Sequence, residues 1–125
     1  MFSDIDSLKL LNSVTHKYIL KNTQELTAQY KKDGKKAVLI DAPVLFESGF
    51  DKYCDILLCV TCPDEKSIER ICRRDGIDEE NAKLRLSSQI PADKLRSLCD
   101  YEIVNDDVTD PVSEVKRFLS YYSLD

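Results

Sequence analysis

Short continuous apolar runs, set between longer segments with helical periodicity, dominate the hydrophobic pattern of this chain. Residues 37–40 (AVLI) and 56–60 (ILLCV) are apolar without alternation, and Tyr101–Val104 forms a third, weaker run. Runs of this kind, bounded by turn-forming residues, are typical of strands buried on both faces of a parallel sheet. The pattern therefore predicts three parallel strands.

The intervening segments place apolar residues at helical spacing and carry capping or stop residues at their ends. Ser3 or Asp4 is expected to cap the first helix, and Gly34 to stop the second. The last helix is expected to turn its apolar residues inward, namely Val112, Val115, Phe118, Leu119 and Tyr122. Strands alternating with helices predict an α/β domain whose parallel sheet is covered on both faces. The predicted helices are residues 5–14, 16–32, 64–74, 78–88 and 91–98, with a last helix beginning at Pro111.

The composition narrows the function classes. With 125 residues, of which 42% are hydrophobic and 33% charged, the chain is expected to form one globular domain. Its net charge of −5 argues against nucleic-acid and membrane partners, which require a basic face, but allows a phosphorylated small ligand held by a few arginines. No apolar run reaches the length of a membrane span, and residues 1–6 do not resemble a signal peptide. A cytoplasmic protein is therefore expected.

The cysteines carry little functional signal. Five of them in a chain without an export signal are expected to be reduced thiols. Cys59 and Cys62 have C-x-x-C spacing, but Cys59 falls inside an apolar strand run, and no second Cys or His pair accompanies them. Redox or metal use is therefore disfavoured, and no protein metal site is predicted.

The heptapeptide 41–47 (DAPVLFE) follows the first apolar run directly, and ligands bind just outside the carboxyl ends of parallel strands. Asp41 could hold Mg²⁺ through water or bind a ligand hydroxyl, or it could simply cap the following turn. Pro43, Leu45 and Phe46 could form the wall of a pocket with Glu47 as its polar anchor. Alternatively, Leu45 or Phe46 belongs to the core.

Arginines cluster on the predicted helix 64–74. Arg70 and Arg74 share a helix face and could clamp transferring phosphates, since that chemistry requires fixed positive charge. Alternatively, the helix is simply solvated, with Glu69 and Arg73 paired four positions apart.

Four further polar residues could have either a functional or a structural role. Arg85 and Gln89 lie four apart on the next helix, facing either the same cleft or the solvent. His16 is the single histidine and has no triad-like partner, which favours a structural role. Asn105 ends the third strand, where it could contact an adenine edge or, as position alone favours, cap the turn at 106–107.

Taken in order, these segments resemble the carboxyl-terminal two-thirds of the dephospho-CoA kinase family. These P-loop enzymes phosphorylate the ribose 3′-hydroxyl of dephospho-CoA with ATP. The resemblance implies an α/β fold, a partial three-layer α/β/α P-loop NTPase-type parallel sheet. It also implies that residues 1–125 form a single truncated domain with a helical lid at roughly 70–98, the first strand and the P-loop missing. The matching stretches are 2–4 with 11–16 (Lys17 replacing the usual proline), 41–49 (family DVPLLFE-G), 73–76 with Arg85 and Gln89, and 100–105.

The same resemblance implies roles for particular residues. Arg74 would be catalytic, reaching the ATP phosphates from the lid together with Arg85, while Asn105 would lie beside the adenine. ATP and Mg²⁺ are the family's expected cofactors, and dephospho-CoA and ATP the small-molecule partners. The residues that would line the dephospho-CoA site are His16, Asp41, Pro43, Leu45, Phe46 and Glu47.

The chain also departs from the family pattern, because its 125 residues contain no phosphate loop of the form G-x-x-x-x-G-K-[ST]. Roughly 60–80 upstream residues would be absent, judged by the size of strand–helix units. The isolated chain is therefore expected to be catalytically silent, to bind ATP and Mg²⁺ poorly, and to associate through exposed strand edges. The alternative is a non-catalytic binding or interaction module that keeps the acceptor pocket or completes a sheet with another chain.

Overall fold

A computed structural model describes residues 5–125, with side chains from residue 9 onward. The proposed helix caps Ser3 and Asp4, and the matching stretch 2–4, lie outside the described residues. The chain divides into two compact units, Met1–Cys54 and Asp55–Asp125, which are described separately. None of the described helices combines the length and apolarity needed to cross a bilayer.

The first unit begins with one long helix, α1, spanning Ile5–Lys32. The prediction of two helices, 5–14 and 16–32, is therefore wrong at the junction between them. Thr15 sits at that junction, and its hydroxyl donates to the carbonyl of Leu11 at 2.7 Å, so the polar side chain is satisfied inside the helix. A β-branched residue lowers helix propensity only slightly, and the long segment tolerates it.

Helix α1 ends as the sequence predicts. Gly34 adopts a left-handed conformation with φ 72°. Its N–H donates to the carbonyl of Lys31 at 3.2 Å, and the N–H of Lys35 donates to the carbonyl of Tyr30 at 3.0 Å. This pair of bonds is the Schellman motif, which satisfies carbonyls that the helix end leaves unpaired.

The strand predicted at residues 37–40 is wrong, because this segment has no regular secondary structure. The described sheet has two strands, both in the second unit, and residues 37–40 are not part of it. A strand exists only where a neighbouring strand bonds its N–H and C=O groups. Leu39 is 83% exposed, so the expected burial on both faces is also absent.

The second unit alternates strands and helices as predicted. The four predicted helices agree with the observed ones to within one residue at most ends, and the strand predicted at Tyr101–Val104 has those bounds. The strand predicted at 56–60 is shifted by one or two residues. The elements are β1 (Leu58–Thr61), α2 (Asp64–Asp75), α3 (Glu79–Ser87), α4 (Ala92–Leu98), β2 (Tyr101–Val104) and α5 (Pro111–Tyr121).

Strands β1 and β2 pair in parallel, with Leu58 opposite Tyr101 and Val60 opposite Ile103. Parallel pairing is confirmed, but burial of β1 on both faces is not. Ile103 is 4% exposed, whereas Val60 is 58% exposed. Helix α5 packs against β2 and α4 packs against β1, so each strand has one helix against it.

A polar contact lies within the covered part of the sheet. The buried hydroxyl of Thr61 donates to Glu102, and Arg96 on α4 donates to the other carboxylate oxygen at 2.7 Å. These bonds, that from Arg96 first, lower the pKa of Glu102. The carboxylate therefore connects both strands to α4 while remaining ionised.

Aromatic side chains join α5 to the sheet. The rings of Tyr101 and Phe118 lie 5.2 Å apart in an edge-to-face arrangement, a favourable geometry for aromatic packing. Val112 and Val115 are 59% and 43% exposed, so the expectation that they face inward is wrong. They precede the part of α5 that carries the aromatic contact. Phe118, Leu119 and Tyr122, for which the same was expected, are half-buried.

Candidate functional site

In the first unit, the segment predicted to bind a ligand forms a compact turn over residues 42–50. The N–H of Ser48 donates to the carbonyl of Val44 at 2.9 Å, and that of Phe50 to Leu45 at 3.0 Å. Gly49 has φ 74°, and its N–H donates to the carbonyl of Phe46 at 3.1 Å. The turn therefore closes with the same Schellman pattern that ends α1, and one glycine fixes its shape.

Two acidic side chains in and beside this turn, Asp41 and Glu47, have no described partner. The carboxylates of Asp41 and Glu47 are exposed and make no hydrogen bond or ion pair with any residue that the structure describes. Asp41 therefore does not cap the turn. Leu45 and Phe46 are half-buried, so their burial does not decide whether they form a pocket wall or part of the core. Pro43 is exposed.

His16 packs against the end of this turn. Its ring centroid lies 6.4 Å from that of Phe50, edge to face, and His16 is half-buried. Phe50 follows the turn glycine and is the buried aromatic residue among those described in this unit. The one histidine of α1 and the candidate turn are therefore neighbours.

In the second unit, two of the arginines singled out in the sequence converge on one carboxylate. Arg74 donates to both oxygens of Asp75, from Nε at 2.7 Å and from Nη2 at 3.0 Å, and Arg85 on α3 donates to the same carboxylate. The hydrogen bond from Arg74 is the main cause that lowers the pKa of Asp75, and it raises the pKa of Arg74 in return. Both guanidiniums are therefore held at one place with their charges fixed.

Asp75 is a site residue that the sequence analysis did not single out. It ends α2, where Gly76 follows in a left-handed conformation with φ 65° and donates its N–H to the carbonyl of Cys72. This helix end brings α3 back against α2, and with it Arg85. The sequence Arg-Asp-Gly at residues 74–76 was the signal from which Asp75 could have been identified.

A second cluster lies where the two strands end. Arg70 on α2 donates to Asp107 at 2.5 Å, to Asn105 at 3.4 Å and to the sulfur of Cys62 at 3.5 Å. Lys66 also approaches Asp107, at 3.4 Å. Arg70 and Arg74 therefore engage different acidic partners although they share a helix.

Asn105 does not cap the turn that follows β2, because Asp106 does. Its carboxylate accepts from the N–H groups of Val108 at 3.0 Å and Thr109 at 2.8 Å. These backbone bonds, Thr109 first, lower the pKa of Asp106. The described contact of the Asn105 side chain is therefore the one with Arg70, not one with this turn.

Two of the five cysteines, Cys59 and Cys99, contact each other in the second unit. All five are free. Cys59 contacts Cys99 rather than Cys62, and burial raises the pKa of Cys99 to about 12. Thiols that stay protonated are poor nucleophiles and poor metal ligands. No group of three or more metal-ligating side chains occurs among the described residues.

The parallel strands, their helical crossover and the polar side chains at the strand exits define an α/β protein. The family model for dephospho-CoA kinase matches residues 1–110 of the sequence. The chain therefore belongs to the dephospho-CoA kinase family. The resemblance and the α/β fold class predicted from the sequence are confirmed.

Individual relatives agree with this assignment. A dephospho-CoA kinase from Lactobacillus johnsonii is 32% identical over 120 residues, and one from Lactobacillus acidophilus is 36% identical over 107. These matches cover 96% and 84% of this chain but 59% and 52% of the relatives. The chain thus spans between half and three-fifths of their length.

Two solved structures have the same fold. A dephospho-CoA kinase from Campylobacter jejuni matches with a TM-score of 0.69 at 29% identity, and TT1252 from Thermus thermophilus with 0.70 at 26%. Each match covers 98% of this chain and 61% of the solved chain.

Proposed function

We propose that this chain acts in the ATP-dependent phosphorylation of the ribose 3′-hydroxyl of dephospho-CoA, which gives coenzyme A. It would contribute the acceptor-binding turn and the lid of that kinase. Membership of the family supports this assignment. The arrangement of Arg74, Asp75 and Arg85 is the structural observation that carries it.

Asp75 holds two guanidiniums side by side without using up their donors. The side chain of Asp75 is 16% exposed, whereas those of Arg74 and Arg85 are 73% and 55% exposed. A guanidinium has five N–H donors, and most of them still face solvent here. Exposed ion pairs contribute little to stability. We therefore propose that this group binds ATP phosphates, with Arg74 contacting the phosphate that is transferred.

On the acceptor side, we propose that the turn 42–50 and its neighbours bind dephospho-CoA. The unengaged carboxylates of Asp41 and Glu47 can accept hydrogen bonds from hydroxyl or amino groups, and half-buried Leu45 and Phe46 offer an apolar surface. His16 and Pro43 complete the proposed set. Asn105 is proposed to lie beside the adenine of ATP.

Mg²⁺ is expected to accompany the nucleotide. Because the described residues contain no cluster of three or more metal-ligating side chains, they do not fit a resident metal site. We propose that the ion arrives bound to ATP phosphates, where it would neutralise charge. The five cysteines, expected to be reduced, fit a cytoplasmic location.

Titration of the 125-residue polypeptide with ATP tests the nucleotide site. We expect weak binding, and Arg74→Met should weaken it roughly tenfold, since it removes a charged hydrogen bond to phosphate. Arg73→Met is the matched control: it makes the same change of charge on the same helix, at a residue with no described bond. Equal affinities of the two variants would contradict the proposal.

A second candidate function is a non-catalytic binding or interaction module. The observation that favours it is the absence of the G-x-x-x-x-G-K-[ST] motif from these 125 residues, because backbone N–H groups and a lysine of that loop cradle the phosphates. We propose that the polypeptide by itself forms no coenzyme A from ATP and dephospho-CoA. Product formation in that assay would reject the module. Dephospho-CoA binding without turnover would support it.

Self-association belongs to the same proposal. Each strand of the described two-stranded sheet pairs on one side only, so each has one lateral edge without a described partner strand. Exposed edges of this kind are templates for pairing between chains. Sedimentation of the purified chain should show dimers or larger species at high concentration. A monomer at all concentrations would contradict this part of the proposal.

A further inference from the structure

Arg70 connects the exits of both strands. Cys62 directly follows β1 and Asn105 directly follows β2, and the guanidinium of Arg70 donates to both, at 3.5 Å and 3.4 Å. Its third acceptor is Asp107, at 2.5 Å. With its side chain 29% exposed, Arg70 is the least exposed of the arginines that form ion pairs in the described part of the chain.

Asn105 is fixed at its backbone but not at the outer end of its side chain. Its N–H donates to the carbonyl of Thr61 at 2.8 Å, which continues the parallel ladder beyond β2. A carboxamide so placed can still rotate to exchange its oxygen and nitrogen. Arg70 removes that freedom, because a guanidinium only donates and therefore selects the oxygen Oδ1.

The consequence is a free donor. With Oδ1 turned toward Arg70, Nδ2 of Asn105 points away from it and has no hydrogen-bond partner among the described residues. Asn105 is half-buried, so this amine has partial access to solvent. An unused donor at the end of a parallel strand lies where α/β proteins bind ligands.

Asp107 holds Arg70 in place. This residue adopts a left-handed conformation with φ 67°, which brings its carboxylate onto the guanidinium. The Nζ of Lys66 lies 3.4 Å from the other carboxylate oxygen. The hydrogen bond from Arg70 also lowers the pKa of Asp107, so the carboxylate stays ionised.

We propose that Arg70 is a positioning residue for nucleobase recognition: it orients the Asn105 carboxamide so that Nδ2 donates to a ring nitrogen of adenine. Adenine presents such acceptors on its edges. This inference rests on the proposed function, which puts the adenine of ATP beside Asn105. Arg70 itself acts through Asn105 and need not contact the nucleotide.

Side-chain amide NMR tests the orientation without any ligand. In ¹⁵N-labelled full chain, Arg70→Met and Arg70→Lys should both shift the two Nδ2 proton resonances of Asn105 and bring them closer together. Lysine keeps the ion pair with Asp107 but lacks the planar fork, so it preserves the charge while releasing the amide. Arg73→Met should leave these resonances unchanged. Unchanged resonances in both Arg70 variants would overturn the inference.

A double-mutant cycle with ATP as the probe tests the ligand contact. Asn105→Ala should weaken ATP binding about fivefold to tenfold, which corresponds to one hydrogen bond. Arg70→Lys should weaken it similarly, and the double variant no further than Asn105→Ala alone within about twofold. If the two losses of ATP affinity multiplied in the double variant, the inference would be overturned, since Arg70 would then act independently of Asn105.

The two proposals fail differently. If the unmodified chain binds no ATP, the proposed function fails and the nucleobase contact fails with it. The NMR experiment then still decides whether Arg70 orients Asn105. If ATP binds and Arg74→Met weakens it while Arg70→Lys does not, the proposed function stands and the positioning role is rejected.

Discussion

The two compact units of the chain differ in how their backbone hydrogen bonds are satisfied. In Met1–Cys54 the bonds are those of a 28-residue helix and of the turns that follow it. In Asp55–Asp125 two strands distant in sequence bond each other, and helices cover them. Four of the five most buried described residues lie in this second unit, namely Cys59, Thr61, Ala82 and Ile103. Local bonding can form an element without burying it, whereas a strand pair needs covering helices to remain stable.

The largest expected loss of stability follows from truncating a buried side chain of the sheet. Ile103→Ala should lower the free energy of unfolding of the second unit by about 3 kcal/mol, because it leaves a cavity in a site that is 4% exposed. Urea unfolding followed by tyrosine fluorescence measures it, since Tyr101 lies on the same strand.

Val60→Ala is the matched control. Val60 faces Ile103 across the ladder but is 58% exposed, so its truncation should cost less than about 1 kcal/mol. Equal losses at the two positions would mean that Val60 is as well packed as Ile103. The contrast between the units would then be smaller than the structure indicates.

The same contrast explains which elements could be predicted from sequence. Helix ends were predictable where one residue supplies the signal, as Gly34 does at the end of α1. The apolar runs 37–40 and 56–60 look alike in sequence, yet one forms a strand and the other does not. A strand depends on its neighbour, and no local pattern encodes the neighbour.

In the first unit, the expected loss of stability is smaller and is confined to one turn. Gly49→Ala should destabilise the turn 42–50 by about 1 kcal/mol, because alanine disfavours φ 74°. An added Cβ would meet nothing within 4 Å, so the cost is conformational rather than steric. Hydrogen exchange of the Phe50 amide, which bonds the carbonyl of Leu45, should become faster by roughly fivefold.

Gly34→Ala provides the comparison for this test. It changes a glycine of similar φ, 72°, at the end of α1 and should speed exchange of the Lys35 amide instead. If Gly49→Ala left the Phe50 amide unchanged, the turn would not depend on its Schellman closure.

The candidate site was less predictable than the helices. Sequence reasoning singled out Arg74, Arg85 and Asn105, but not the carboxylates of Asp75 and Asp107 that hold the arginines. Partner choice among charged side chains depends on how α2, α3 and the loop after β2 approach one another. That approach is a tertiary property, whereas the arginine spacing is local.

A third test uses alkaline pH to probe the second unit. Burial raises the pKa of Cys99 to about 12, against about 8.5 for an unfolded thiol. Because the folded pKa is the higher one, the thiol's contribution to stability is complete below about pH 8.5 and is lost as pH rises toward 12. Urea midpoints should therefore fall over this window.

Cys99→Ala should make the fall of the urea midpoint with pH shallower. Tyr122 contributes in the same direction, since burial raises its pKa as well, so the Cys99 variant should retain a shallower fall above pH 10. A profile unchanged by Cys99→Ala would mean that this thiol is accessible when folded.

The smallest effect is expected at the strand exits, where a local turn and an ion pair coexist. Asp107→Asn keeps a residue that tolerates φ 67° but removes the charge facing Arg70 and Lys66. The loop should remain folded, because Asp106 still caps it through Val108 and Thr109. The unmodified chain and the variant should differ slightly in melting temperature at low salt. They should converge at 1 M NaCl, since salt screens exposed pairs.

The pH dependence of this variant has a definite sign. Arg70 lowers the folded pKa of Asp107 below the unfolded value near 3.9, so its contribution is present above about pH 4 and is lost as pH falls further. The small difference between the two proteins should therefore disappear in acid as well as in salt. A difference that persists under both conditions would show that the carboxylate orders the loop by geometry rather than by charge. The loop after β2 would then depend on the contact between Asp107 and α2, which is distant in sequence, as the sheet depends on the pairing of its two strands. It would not depend on local bonds alone, as the turns of the first unit do.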